Sequence, residues 1–120
     1  MADALRRRPL LDVGVRPVGD GVALVTVSGE VDIATVPSLR AVLLPQAADH
    51  AVRLLVCDLS RVTFFGCSGV TALLDANAAL TARGARLRLV AQTHAVLRPL
   101  AVTGMLSVLP VSSDVRGTLF

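Results

Sequence analysis

The chain has no Trp, no Tyr and only three Phe among its 120 residues. That scarcity removes the aromatic platforms on which proteins stack bases or sugars. Lysine is missing as well, and all twelve basic residues are Arg. A Walker phosphate loop, which requires a Lys after its second Gly, is therefore excluded. Cysteine is scarce: Cys57 and Cys67 are too few for a disulfide scaffold, and no His/Cys spacing suggests zinc. No metal and no cofactor are expected. Long apolar runs are absent too, although the mean hydropathy is +0.68. The longest stretch without charge, residues 99–113, is broken by Pro99, Gly104 and Pro110, whereas a spanning helix needs about twenty mostly apolar residues. Arg6, Arg7 and Arg8 are followed by Pro9 and a short run that Asp12 interrupts, so no signal-peptide core is present. The expectation is a cytoplasmic protein without membrane contact.

What remains is a strongly apolar chain: 53% hydrophobic and 18% charged residues, enough for one folded domain with a real core. The formal net charge of +3 is mild, and Arg6 to Arg8 supply much of the excess. That cluster reads as a solvated tail over residues 1–9, with the domain over 10–120. Without a basic face or stacking aromatics, nucleic acid is not an expected partner.

Residues 10–16 and 22–28 favour strand, and Val18-Gly19-Asp20-Gly21 between them has the composition of a hairpin turn. Arg53 to Cys57 and Arg86 to Ala91 are short apolar strands, and Val108 to Val111 is expected as the last one. Helical patterns separate them. The first starts near Thr35 with Pro37 in its first turn and places Val36, Leu39 and Leu43 on one face; Pro45 is expected to kink or end it. The second runs from about Ser68 to Arg83, with Val70, Leu73, Leu74 and Leu80 as its apolar stripe and Gly84 as its stop. The third follows Thr93, carries Val96, Leu97 and Leu100, contains Pro99 and ends at Gly104; a final turn is expected over residues 113–119. The fold class is α/β: a small mixed sheet, an N-terminal hairpin and helices packed against the sheet.

Three segments place polar residues at strand ends, the usual functional edge of such sheets: Gly29-Glu30-Val31-Asp32, Asp58-Leu59-Ser60-Arg61, and Phe64-Phe65-Gly66-Cys67-Ser68-Gly69. In the last, small residues permit close approach, and the N-terminus of the following helix offers free N–H groups and partial positive charge. A thiol there could have its pKa lowered. The simpler reading is that Cys67 or Ser68 caps the helix and the glycines permit the turn. A Cys-dependent phosphatase needs an Arg a few residues after its nucleophile, and the next Arg after Cys67 is Arg83. His50 and His94 lack an acidic orienter beside them, which weakens a Cys/His hydrolase. A receiver domain could use Asp58 as phospho-acceptor and Glu30/Asp32 as its acidic pair, but it needs a Lys after its last strand. Asp58 then reads as a residue that caps the turn as the chain leaves its strand. Gly29 reads as permitting a turn out of a strand, Asp32 as starting the first helix or facing a partner, Glu30 as solvated or facing a partner, and Arg61 as exposed.

These residues, taken together, resemble the STAS domain of bacterial anti-sigma factor antagonists. Val25 to Asp32 (V-T-V-S-G-E-V-D) resembles the family's strand followed by G-E-[hydrophobic]-D. Asp58 to Val70 (D-L-S-R-V-T-F-F-G-C-S-G-V) resembles its signature, D-[hydrophobic]-S-x-V-x-F-[hydrophobic]-[D/G]-S-[S/A]-G. Leu100 to Leu109, with Thr103-Gly104, resembles its terminal passage from helix to strand. The likeness spans residues 10–119, and the central signature is its specific part.

The resemblance implies a regulator of transcription that is not an enzyme. It would bind a GHKL-type anti-sigma factor, often itself a Ser/Thr kinase, and free the sigma factor, as a monomer or weak dimer. Gly29, Glu30, Asp32, Arg61, Gly66, Cys67, Ser68 and Gly69 are the partner-binding candidates. In the family the kinase phosphorylates the first Ser of the signature and so ends the binding. That position here is Cys67, with the hydroxyl of Ser68 beside it. The antagonist role carries over and the phospho-switch does not, because a protein Ser kinase is not expected to phosphorylate a thiol. Three readings of Cys67 stay open: a fixed docking residue, a redox-sensitive thiol, or a neighbour of a relocated phosphorylation site such as Ser68. Two further function classes stay open as well, a scaffold subunit of a larger stress-signalling assembly and a thiol-based redox module.

Overall fold

The computed structural model describes residues 10–116. Along the chain lie β1 (Leu11–Gly19), β2 (Val22–Val31), α1 (Val36–Ala48), β3 (Leu54–Phe65), α2 (Cys67–Ala82), β4 (Arg86–Val90), α3 (His94–Val102), a 3-10 turn (Met105–Ser107) and β5 (Val111–Ser112). The five strands form one sheet in the order β1-β2-β3-β4-β5. β1 and β2 make the antiparallel hairpin, turning at Asp20-Gly21, and every later strand runs parallel to its neighbour. Parallel neighbours need a long crossover, and α1, α2 and α3 supply it.

The core fills the face on which the helices lie. Alternate residues Val25 and Val27, Leu55 and Cys57, Leu87 and Leu89 point from the strands into a layer built by Leu39, Leu43, Leu73, Leu80, Val96 and Leu100. The opposite face carries a smaller apolar cluster of Leu24, Val56 and Val90, against which Val115 packs. Burial on both faces is why the central strands read as continuous apolar runs rather than alternating ones. A half-exposed ion pair between Arg40 and Asp75 ties α1 to α2 at the surface. Among the described residues, no helix is long and apolar enough to cross a membrane.

The order of elements along the chain, the mixed sheet, the hairpin and the three crossover helices agree with the sequence expectation. Four details differ. Pro45 does not stop α1, which continues to Ala48. Pro45 is exposed, while Leu43 before it and Ala47 after it are fully buried and hold the last turn in place. β3 does not end at Cys57 but runs to Phe65, so Asp58 sits within the strand and not at a turn leaving it. Its carboxylate takes hydrogen bonds from the N–H of Ser60 (3.0 Å) and from the Ser60 hydroxyl, where the pairing with β2 shifts register. The last strand is residues 111–112 instead of 108–111, because a 3-10 turn uses Met105–Ser107 and Val108 donates its N–H back to Met105. Gly29 does not sit in a turn leaving β2. It lies inside the strand, opposite Leu11, at φ +112. Of the last expected turn, Val115 and Arg116 begin a helical turn and 117–119 lie outside the described residues, as does the expected tail over 1–9.

Among the described glycines, Gly29 leaves the least room for a side chain. A Cβ built there would stand 2.1 Å from the carbonyl oxygen of Leu10, and that same oxygen accepts the N–H of Glu30 at 2.8 Å. Substitution would impose both the strain of a left-handed backbone and a clash with main chain that cannot swing aside. Gly29→Ala is expected to lower unfolding free energy by at least about 2 kcal/mol, read as a shifted midpoint in urea denaturation. Gly84→Ala, also at positive φ but with nothing within 4 Å, is expected to cost clearly less in the same assay.

Candidate functional site

The N-termini of α1, α2 and α3 follow the C-terminal ends of β2, β3 and β4, and β3 carries one corner of that edge outward. Its pairing with β4 ends at Asp58 opposite Val90, yet it continues along β2 until Phe65 stands opposite Val31. There the N–H of Gly66 donates to the carbonyl of Val31 at 2.9 Å and pins the start of α2 to the end of β2. Gly66 is the N-cap residue of α2, in extended conformation, and no side chain caps the helix. Neither Cys67 nor Ser68 is therefore the cap. The carbonyl of Gly66 accepts the N–H groups of Gly69 (3.0 Å) and Val70 (3.3 Å).

The small residues of Gly66-Cys67-Ser68-Gly69 have separate tasks. Gly69 is buried, and a Cβ on it would lie 2.8 Å from the ring of Phe65 and 2.8 Å from Val31 Cγ1. The close approach it permits is thus to this chain's own strand ends. A Cβ on Gly66 would stand 3.3 Å from the ring of Phe64. Cys67 is exposed and Ser68 half-buried, so the thiol is the outermost reactive group of the helix start.

Beside this corner, the turn between β2 and α1 is held by its own hydrogen bonds. Asp32 Oδ1 accepts the N–H groups of Ala34 and Thr35, each at 2.9 Å. Thr35 Oγ1 donates to the carbonyl of Glu30 at 2.7 Å and accepts the N–H of Asp32 at 2.9 Å. Asp32 therefore organises the entry to α1, with Thr35 as the residue before it. The carboxylate of Glu30, in an exposed residue paired with Phe64, has no hydrogen-bond or ion-pair partner among the described residues.

Glu30, Asp32, Gly66, Cys67, Ser68 and Gly69 are thus gathered at one end of the sheet, Gly69 beneath the surface. Gly29 lies further back, against Leu10. Arg61 is set back from them along the strand: it pairs with Ser28, two residues before Glu30, and lines a cavity of about 400 Å3 with Asp12, Gly14, Thr26 and Asp58 on the side of the sheet away from the core layer. Two residues that sequence reasoning did not single out stand at the corner: Ile33, 85% exposed, and Phe64, 50% exposed. A signal for Phe64 was available, since adjacent strand residues face opposite ways and Phe65 is the one inside. For Ile33 the only signal was an apolar residue directly after a turn-forming Asp.

The two thiols differ in kind. Cys57 is fully buried on β3, and desolvation, with a smaller contribution from the neighbouring Asp58 carboxylate, pushes its pKa from 9.0 up to about 12. A thiol reagent near neutral pH is expected to modify one cysteine per native chain, Cys67, and to reach Cys57 only on unfolding; peptide mapping of the labelled protein reads this directly. A group with a raised native pKa favours the folded state fully below its unfolded pKa and loses that advantage as pH rises towards the native value. Stability is therefore expected to fall between pH 9 and 12 by up to about 1.4 kcal/mol per pH unit from this thiol. Comparison of Cys57→Ala with wild type by denaturation across that range isolates the component.

A model of the STAS domain family matches residues 15–117. Among solved structures, the chain is similar to an anti-sigma factor antagonist from Mycobacterium paratuberculosis, with 32% identity, 91% of each chain covered and a TM-score of 0.83. It shares the fold of the anti-sigma factor antagonist SpoIIAA in its unphosphorylated form, at 20% identity, with 89% of this chain and 93% of that one covered and a TM-score of 0.75. The phosphorylated form of the Bacillus cell-fate determinant SpoIIAA shows the same fold at 19% identity, over 89% of this chain and 96% of that one, with a TM-score of 0.70. No curated protein matches the sequence. With the family pattern covering the sheet, the crossover helices and the corner at Cys67, the chain belongs to the STAS domain family.

Proposed function

We propose that this protein is an anti-sigma factor antagonist that docks a GHKL-type anti-sigma factor through the corner formed by the start of α2 and the turn before α1, and so frees a sigma factor. The observation that carries the reading is the exposed Cys67 at the first position of α2, closing the signature Asp58 to Gly69, in a chain 32% identical over 91% of its length to an antagonist. The task asked of the surface is recognition, with no bond made or broken by this chain, and the setting is the cytoplasm where sigma factors act.

Cys67 stands where the family carries its phospho-acceptor Ser. A phosphoryl group there would add a charge of about −1.5 to −2. The helix N-terminus tolerates such charge, since its free N–H groups and dipole favour an anion. A partner surface pressed against the same point does not, because it loses water and meets both bulk and charge. A thiol keeps the size of a hydroxyl without serving a Ser kinase. Cys67 then makes an antagonist that the usual switch does not turn off.

Cys67→Asp separates folding from docking. A carboxylate in the first turn of α2 is expected to leave the melting temperature unchanged or slightly raised, by about 0.3–1 kcal/mol in stability. The same substitution is expected to weaken binding to the anti-sigma factor at least tenfold, whereas Cys67→Ser binds as wild type does. Titration calorimetry against purified GHKL-type anti-sigma factors of the source organism measures this. Equal affinity of all three forms would move the interface elsewhere. In the presence of ATP and a partner with kinase activity, Cys67→Ser is expected to gain a phosphoryl group that wild type does not accept, visible by intact mass.

A further inference from the structure

We infer that Ile33 and Phe64 are the apolar anchors of this docking corner, and that they seat in an apolar depression of the anti-sigma factor bordered by a Lys or Arg that meets Glu30. The inference rests on the docking reading above and adds to it which residues supply the contact energy and what chemistry the partner must offer.

Three features support it. The first is exposure at the corner itself: Ile33 is 85% exposed and Phe64 50%, one on the turn between β2 and α1, the other on β3 three residues before Cys67. Both segments meet where Phe65 faces Val31 and Gly66 bonds to Val31. Large apolar side chains left in water at one corner mark contact surfaces far better than the same residues scattered singly.

The second is that the backbone carrying Ile33 and the ring of Phe64 are held before any partner arrives. Ile33 sits at the tip of a turn fixed by the Asp32 carboxylate on the N–H groups of Ala34 and Thr35 and by the Thr35 hydroxyl on the carbonyl of Glu30. None of these bonds involves the Ile33 side chain, yet together they aim it outward. Phe64 lies against Gly66, where even a methyl group would come within 3.3 Å of its ring. Anchors already ordered lose little entropy on binding, which is the condition for a few residues to carry most of an interface.

The third is charge. The carboxylate of Glu30, in strand register with Phe64, is unpaired among the described residues, whereas the Asp32 carboxylate is occupied by backbone N–H groups. Arg61, beside Ser28 and so set back along the same face, makes no ion pair with Glu30 among the described residues. The Glu30 carboxylate therefore stands free beside the apolar pair, and a basic group on the partner complements it.

The test uses the full chain and titrates wild type, Ile33→Ser, Phe64→Ser, Glu30→Gln and, as control, Val102→Ser, which removes an exposed apolar residue (75% exposed) at the far end of α3. The probes are the purified GHKL-type anti-sigma factors of the source organism. Expected are a rise in Kd of at least tenfold for Ile33→Ser and for Phe64→Ser, a smaller rise for Glu30→Gln that vanishes in 0.5 M salt, and no change for Val102→Ser. Circular dichroism melts accompany each variant, and Ile33, being almost wholly in solvent, can be changed without cost to the fold. Wild-type affinity in both Ile33→Ser and Phe64→Ser would overturn the anchors while leaving the antagonist reading in place. Failure of wild type to bind any of the probes would overturn both.

Discussion

The contact of Gly69 with Phe65 and Val31 is the constraint on which the candidate docking corner depends. A helix start can sit this close to two strand ends only if it has no side chain at the point of contact, since any Cβ would fall 2.8 Å from both the ring and the valine methyl. That closeness lets Gly66 reach the carbonyl of Val31 and fixes the angle at which α2 leaves the strand. Cys67 is outermost at that end because Gly69, two residues on, is innermost. A glycine inside a helix ordinarily costs stability; here the aromatic ring and the valine packed in its place offset the loss.

The same corner illustrates how one position can be placed for the proposed docking and be neutral for folding. Nothing in the core depends on the atom that Cys67 places in water. Its neighbour in sequence type, Cys57, lies at the opposite extreme: wholly buried, flanked by a carboxylate and held as a neutral thiol far above its usual range. The contrast comes from the pleat and the helix start, not from the residue. On β3, Cys57 points into the layer beneath the helices; at the first turn of α2, Cys67 points away from it. Under the proposed function, a thiol in place of a phosphorylatable hydroxyl at the exposed position keeps the shape of the surface and changes only the chemistry that can reach it.

Much of the architecture was legible because its signals are local. Thr35 with Pro37 marked the start of α1, Gly84 the end of α2, and Asp20-Gly21 the hairpin, each through the backbone angles these residues accept. The extent of β3 was hidden. Beyond Cys57 its buried residues are Leu59, Val62 and Phe65, a spacing that no longer alternates because the register with β2 shifts on the way. A bulged strand therefore looks like a loop followed by a helix start. Pro45 misled for a related reason: its effect on a helix depends on which side it faces and on what holds the turns around it, and neither is a local property.

The sequence by itself determined the α/β class, the order of the elements, and the presence of Glu30, Asp32, Gly66, Cys67 and Ser68 near strand ends, since hydrophobic period and turn chemistry act over a few residues. Only the tertiary structure decided which of them share a surface. It set Arg61 back beside Ser28 in a separate cavity, sank Gly69 and Gly29 against other parts of the chain, and brought Ile33 and Phe64 into water near Cys67. The physical reason is that exposure is set by what packs above a residue. At this corner the packing comes from β2 and β3, which pair across an entire crossover helix.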